Sequence, residues 1–277
     1  MSDVADELEA IGDESDVIDV EVGDRGEGVA TVTIDRPDAR NALNTPVREG
    51  ITAVCDAVEA AHGDPDAVRV LVLTGSDEAG AFVAGADVTE LRERDGVEMR
   101  RASKRPRIHE RVDGLPIPVI ARINGFCLGG GCELAQACDV RIASEDAKLG
   151  QPETNLGIIP GGGATQRLPR LVGEGQAMKL ILSGELIDAE EARSIGLVEE
   201  VPEDVDERVD ELAGRMAAKS PLALEHAKKA VRAASRMDLE AGIEYEAELF
   251  AALFDTHDKN EGIDAFLEDR DPEWTGR

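Results

Sequence analysis

Three consecutive glycines, Gly129-Gly130-Gly131, separate an apolar run from Cys132-Glu133-Leu134, and they limit what this chain can fold into more than any other stretch. Residues without a Cβ reach backbone angles closed to other residues and let other groups approach the main chain closely. The run Val119 to Ile123 reads as a strand, and the segment after the glycines reads as a helix to about Ala137. The glycines therefore mark a turn that opens a helix. A helix start leaves backbone N–H groups unpaired and carries partial positive charge, which suits an anionic oxygen. Glu133 falls in the first helical turn. A second carboxylate, Glu153, follows in the loop Gly150-Gln151-Pro152-Glu153. Unpaired donors between two carboxylates are the parts of an oxyanion hole served by a general acid and a general base.

Each part alone has a plainer reading. With 59 acidic residues in the chain, a single glutamate reads first as a solvated surface charge, and a glycine run as a tight turn. Phosphate-loop readings fail. The chain has no G-x-x-x-x-G-K-[ST], and the Gly129 run lacks the G-x-G-x-x-G spacing of a dinucleotide fold.

Along the chain, residues 1–16 are acidic with little apolar pattern and are expected to form a flexible tail. Val29 to Ile34 reads as a strand. Thr45 can cap a helix with Pro46 at its first position, running to about Ala61. Val68 to Leu73 is a valine-rich run, apolar but for Arg69, the pattern of a buried strand. Gly75 to Gly85 reads as a loop, and 88–112 as a charged helical stretch. Val140 to Ala143 is a further strand, and beyond Asp204 the pattern is wholly helical, over roughly 204–218, 221–235, 238–254 and 259–268. Alternating short strands and helices indicate α/β packing.

The net charge is −29, and of 30 basic residues seven are lysine. Such a shell repels itself at low salt, and at molar salt the Debye length falls to ~3 Å and screens the repulsion. The acid is spread over the whole chain, so a halophilic protein is expected. Neither nucleic acid nor an anionic membrane suits a polyanion. Cys55, Cys127, Cys132 and Cys138 show no C-x-x-C spacing, and the four histidines lie far from them in sequence. Buried, reduced thiols are expected, and no metal site. The acidic N-terminus is unlike a signal peptide, and no apolar run nears the about 18 residues of a membrane span. A cytoplasmic protein is expected.

Further blocks surround the glycine turn: Arg36-Pro37 with Asn41-Ala42-Leu43-Asn44, Ala81 to Asp87, Gly157-Ile158-Ile159-Pro160-Gly161, Thr165-Gln166-Arg167-Leu168, Ala189 to Val198 and Glu261 to Phe266. In this order and spacing, over residues 17 to 275, the chain resembles the crotonase superfamily and, within it, the enoyl-CoA hydratases. The resemblance implies a spiral of strand–strand–helix units over 17–203 and a helical oligomerisation segment over 204–277, giving a homotrimer or a hexamer of paired trimers. It implies an acyl-CoA thioester as substrate, with coenzyme A part of that substrate and no separate cofactor. The backbone N–H groups of Ala86 and Gly130 would form the oxyanion hole, and Glu133 and Glu153 would grip the attacking water. Ala84, Gly85, Asp87, Val88, Gly161 and Phe266 would line the substrate. Two carboxylates on one water repel, which pushes their pKa values apart; Leu156, Ile158 and Phe126 would add an apolar wall. Lysines that relatives place around the CoA phosphates are missing: the matching positions hold Asp38, Gly80, Thr89 and Asp269. Arg40, Arg92 and Arg270 are the nearby candidates. Both glutamates favour hydration over the isomerase or hydrolase chemistries of related enzymes, and the charge disfavours an RNA-binding homologue.

Overall fold

The computed structural model describes residues 3–64 and 67–277. Residues 1 and 2 of the expected flexible tail lie outside the described residues, but the rest of it is not loose. Helix α1 (Asp3–Asp13) buries Val4 and Leu8, with Ile11 packed against the same core. That spacing is one helix face, obscured in the sequence by the acids between.

Strand β1 (Ile18–Val22) pairs antiparallel with β2 (Val29–Ile34). Helix α2 (Thr45–Ala60) follows, capped by Asn44 and not by Thr45: the Asn44 side chain accepts from the Val47 N–H at 3.0 Å. The expected cap was one residue late. Strand β3 (Val70–Gly75) is buried along its whole length, as its apolar run requires. The expected loop 75–85 contains strand β4 (Ala81–Val83). The stretch 88–112 is three short helices, α3 (Val88–Arg92), α4 (Gly96–Ala102) and α5 (Ile108–Gly114). Strands β5 (Val119–Ile123) and β6 (Phe126–Leu128) lead to helix α6 (Gly130–Ala135), then strands β7 (Val140–Ala143) and β8 (Lys148–Gly150). Helices α7 (Ala164–Val172) and α8 (Glu174–Ser183), strand β9 (Leu186–Asp188) and helix α9 (Ala189–Ser194) complete this half.

From β3 to β8, consecutive strands go to different sheets. One sheet has the order β1-β2-β3-β5-β7 and the other β4-β6-β8-β9. Each pair, β3/β4, β5/β6 and β7/β8, thus contributes one strand to each sheet before the chain turns helical. This is the strand–strand–helix spiral. The neighbouring turns of the spiral bring the ends of β4, β6 and β8 side by side, which gathers the loops after them at one place.

The helical C-terminal region comprises α10 (Val205–Ala217), α11 (Pro221–Ala233), α12 (Leu239–Ala252) and α13 (His257–Glu268). Its first helix is part of the core. Val209, Ala213 and Ala217 of α10 cover Val29, Val70, Val72, Ile120 and Ile142 on the outer face of the first sheet. Buried Arg122 on β5 ties them further, bonding Asp206 at 2.8 and 2.7 Å. Helix α10 thus packs as one layer with the first sheet, because β3 and β5 are buried on both faces and need a cover on each.

Candidate active site

The glycine turn has the conformation that its sequence demands. Gly129 sits at φ +49° and ψ −122°, and its N–H donates to Gly150 O at 2.9 Å, joining this turn to the end of β8. A Cβ on Gly129 would lie 3.2 Å from Oε1 of Glu153. The turn and the second carboxylate are in contact.

Ala86 is brought beside Gly130 by a single parallel bridge. The Leu43 N–H donates to Gly85 O at 2.8 Å and the Asp87 N–H to Leu43 O at 3.0 Å. Since these flanking groups face Leu43, the N–H of Ala86 points to the other side. There it lies 3.5 Å from where a Cβ of Gly130 would stand. Gly130 opens α6, so its own N–H has no carbonyl partner within the helix. The N–H of Ala86 and the opening residue of α6 are thus neighbours.

Glu133 is buried, 3% exposed, in the first turn of α6. Its Oε1 accepts from the Gly162 N–H at 2.6 Å and the Ala164 N–H at 2.9 Å. Burial pushes its pKa up, and the N–H groups of Ala164, Gly162 and Gly163 pull it back. Glu153 lies outside this loop, and its own backbone N–H opposes a rise in its pKa. Burial raises it to about 7, with the charge of Glu133 adding to the rise. The two carboxylates differ as expected, but the main cause is burial and not their repulsion. The expected apolar wall is incomplete in the single chain, where Leu156 and Ile158 are exposed.

Further residues gather at the site, of which His109, Arg107 and Gln136 carried no signal in the sequence. His109 of α5 lies buried against it, with Nε2 at 3.3 Å from Gly130 O. A carbonyl only accepts, so Nε2 carries the hydrogen, and Nδ1 has no partner among the described residues. Burial lowers His109 to about 4, so it is a neutral wall near neutral pH. Arg107 donates to Gly161 O, and Arg167 to Gly162 O at 3.1 Å. These bonds fix the loop whose N–H groups hold Glu133. Gln151 and Gln136 are also buried here.

Within that loop Gly162 is the constrained position. A Cβ there would meet His109 Cε1 at 2.5 Å and Glu133 Oε2 at 2.7 Å, whereas one on Gly161 meets nothing within 4 Å. Gly162→Ala is expected to lower kcat on the order of 10²-fold by displacing Glu133, while Gly161→Ala stays near the parent rate. Steady-state kinetics of the two variants side by side would check this, and a fully active Gly162→Ala would show that the cradle tolerates the shift.

The other expected residues are placed unevenly. Ala84, Gly85, Asp87 and Val88 form one strip from the end of β4 to the start of α3. Asp87 caps α3 through Thr89 N–H at 3.1 Å and pairs with Arg36 at 3.2 Å; its bonds to Thr89 hold its pKa below the usual value. Arg40 borders this strip: its carbonyl accepts from Ala84 N–H at 3.0 Å, and its guanidinium lies 5.2 Å from the Phe126 ring centre. Arg92 is exposed at the end of α3. Arg270 pairs with Glu261 at 2.7 and 2.9 Å and with Glu268 at 2.8 Å. Phe266 is 84% exposed on α13. All four cysteines are buried and free, and no helix among the described residues is long and apolar enough to cross a membrane.

A two-sheet spiral of strand–strand–helix units defines the crotonase class of fold. The chain belongs to the enoyl-CoA hydratase/isomerase family, whose sequence model matches residues 24–277. It is 43% identical over 250 residues to crotonyl-CoA hydratase of Syntrophomonas wolfei, spanning 89% of this chain and 94% of that protein. It is 44% identical over 255 residues to 2,3-dehydroadipyl-CoA hydratase of Escherichia coli, spanning 91% and 97%. The solved structure of an enoyl-CoA hydratase from Bacillus anthracis superposes with a TM-score of 0.86 at 39% identity, covering 94% of this chain and 99% of that one.

Proposed function

We propose that this protein hydrates 2-enoyl-CoA thioesters to 3-hydroxyacyl-CoA. What carries this reading is that Glu133 in α6 and Glu153 after β8 sense each other's charge beside the glycine turn, where Ala86 N also lies close to Gly130. The names of the relatives support it. With the thioester oxygen against the N–H groups of Ala86 and Gly130, the charge that develops on it is stabilised. One such donor typically contributes about 10²–10³-fold. Ionised Glu133 takes a proton from water as the water oxygen bonds to the β-carbon. Protonated Glu153 gives its proton to the α-carbon. The double bond becomes single, one water is consumed, and the proton count of the pair is unchanged. The strip from Ala84 to Val88 would run along the pantetheine and adenine of CoA. Coenzyme A is part of the substrate, and this reading needs no separate cofactor or metal.

Crotonyl-CoA tests the reading directly. Loss of the conjugated thioester's ultraviolet absorbance is expected, with 3-hydroxybutyryl-CoA identified by chromatography. Folded protein at high salt that forms none would sink the assignment.

The pH profile follows from the pair. The active form holds one proton between Glu133 and Glu153. Above the Glu153 pKa of about 7 that proton is lost, so kcat/KM should fall about tenfold per pH unit. At acid pH Glu133 also gains a proton, and the rate falls again. Hydration and dehydration should share this profile, because adding neutral water leaves the proton count of the pair unchanged. A flat rate over the two pH units above that midpoint would remove Glu153 as proton donor.

Assembly is part of the proposal. Leu239, Ile243 and Phe250 on α12 and Ile263 and Phe266 on α13 are exposed apolar residues in the single chain, more than a lone soluble surface usually carries together. Association of three or six copies in the cytoplasm would cover them and is measurable as mass by light scattering; a monomer at high salt would overturn it.

A further inference from the structure

Two buried amides stand behind Glu153 without a role in the reaction as described. Gln151 is 1% exposed and Gln136 is 5% exposed. Their neighbours fix which way the Gln151 amide faces. With its nitrogen toward Glu153, it donates to Oε1 at 3.0 Å and Oε2 at 3.2 Å, and its oxygen accepts from Gln136 Nε2 at 3.0 Å. Turned over, it would set oxygen against the ionised carboxylate and nitrogen against nitrogen, both repulsive. Gln136 is itself anchored, its Nε2 lying 3.4 Å from Cys132 Sγ on α6. Its Oε1 is left buried with no partner. Two apolar side chains would fill this space without stranding an oxygen, so filling space does not account for the pair.

We propose that Gln136 and Gln151 form a positioning relay that holds the Glu153 carboxylate by a donor shared between both of its oxygens. The proposal rests on Glu153 being the proton donor of the hydration. The titratable groups facing Glu153 are Glu133 and Cys132, both on α6, and among the described residues no cation opposes them. Besides the backbone N–H of Glu153 itself, the Gln151 amide is the polar group that favours the ionised form. It steadies the carboxylate that remains once the proton has passed to the α-carbon, and it keeps the carboxyl aimed at the turn of Gly129 and Gly130. Gln136 acts one step back, by denying Gln151 the flipped orientation.

The test replaces each amide by an unbranched apolar side chain of similar length, Gln151→Met and Gln136→Met. Infrared titration of the carboxyl band, identified by its loss in Glu153→Gln, reads the Glu153 midpoint without any turnover. Removing a donor from a carboxylate disfavours the charged form, so the midpoint should rise in Gln151→Met by about one to two pH units. In Gln136→Met it should rise by less. The basic limb of the kcat/KM profile should move the same way, with kcat reduced more than KM is changed. A merely structural role would lower melting temperature and activity with the midpoint unmoved, and a folded Gln151→Met with an unmoved midpoint would overturn the proposal. If Gln151→Met does not fold, Gln136→Met decides alone by the same criterion. If the parent protein does not hydrate crotonyl-CoA, the reaction assignment fails, and the infrared midpoints still decide the relay.

Discussion

Replacing either Glu133 or Glu153 with glutamine is expected to lower kcat by roughly 10²–10⁴-fold, the usual contribution of a positioned acid or base, with CoA-thioester binding largely kept. The structure shows why the loss should be chemical. In Glu133→Gln the amide oxygen can still accept from the Gly162 and Ala164 N–H groups, at the positions now 2.6 and 2.9 Å from Oε1. The amide nitrogen then points toward the water, where it offers a donor in place of a base. In Glu153→Gln the amide oxygen can still accept from Gln151, but no transferable proton remains. The double variant should be far less than multiplicatively worse, because both groups work on one water molecule. Turnover and calorimetric binding of a saturated acyl-CoA measure the two effects separately. Near-normal turnover in a single variant would remove that glutamate from the mechanism.

The second large effect is salt. A chain of net charge −29 should gain melting temperature, assembly and activity together as potassium chloride rises toward molar concentration. Helix α12 locates the repulsion. It carries Glu240, Glu244, Glu246 and Glu248 and no basic residue. Two of its pairs, 240/244 and 244/248, are like charges one turn apart, which destabilises a helix. The same helix presents exposed Ile243 and Phe250. Low salt should therefore weaken α12 and the proposed subunit contacts at once. The Michaelis constant for crotonyl-CoA should fall with added salt too, since its phosphates approach an acidic surface while Arg270 is held by glutamates. Thermal melts, light scattering and kinetics against salt check each arm. A stable, fully active oligomer at low salt would falsify the halophilic expectation and leave the catalytic reading intact.

What the sequence made legible was local. The apolar run of β3, the glycine turn and the two glutamates are short patterns with a direct physical meaning. The meeting of distant segments was not. His109 and Arg107 reach the site only because α5 packs near α6, and nothing within α5 itself announces that. Gln151 stands in a recognised block, but its partner Gln136 lies on another element, so the relay has no sequence spacing. Strand β4 is three residues long, too short for alternation to show against a loop. Helix α1 was hidden by composition: its acids outweigh the few apolar residues that define its buried face.

Helix α10 bears on how this protein is made. Until the ribosome has passed residue 217, Val70, Val72 and Ile120 have no cover on the face that α10 seals. Most of the sheet is synthesised before its lid exists. Nascent chains halted short of Val205 should thus expose a sticky apolar surface, be cut readily by protease and engage holdase chaperones. Completion of the spiral would then be a late, nearly post-translational event, set by the order in which segments leave the exit tunnel.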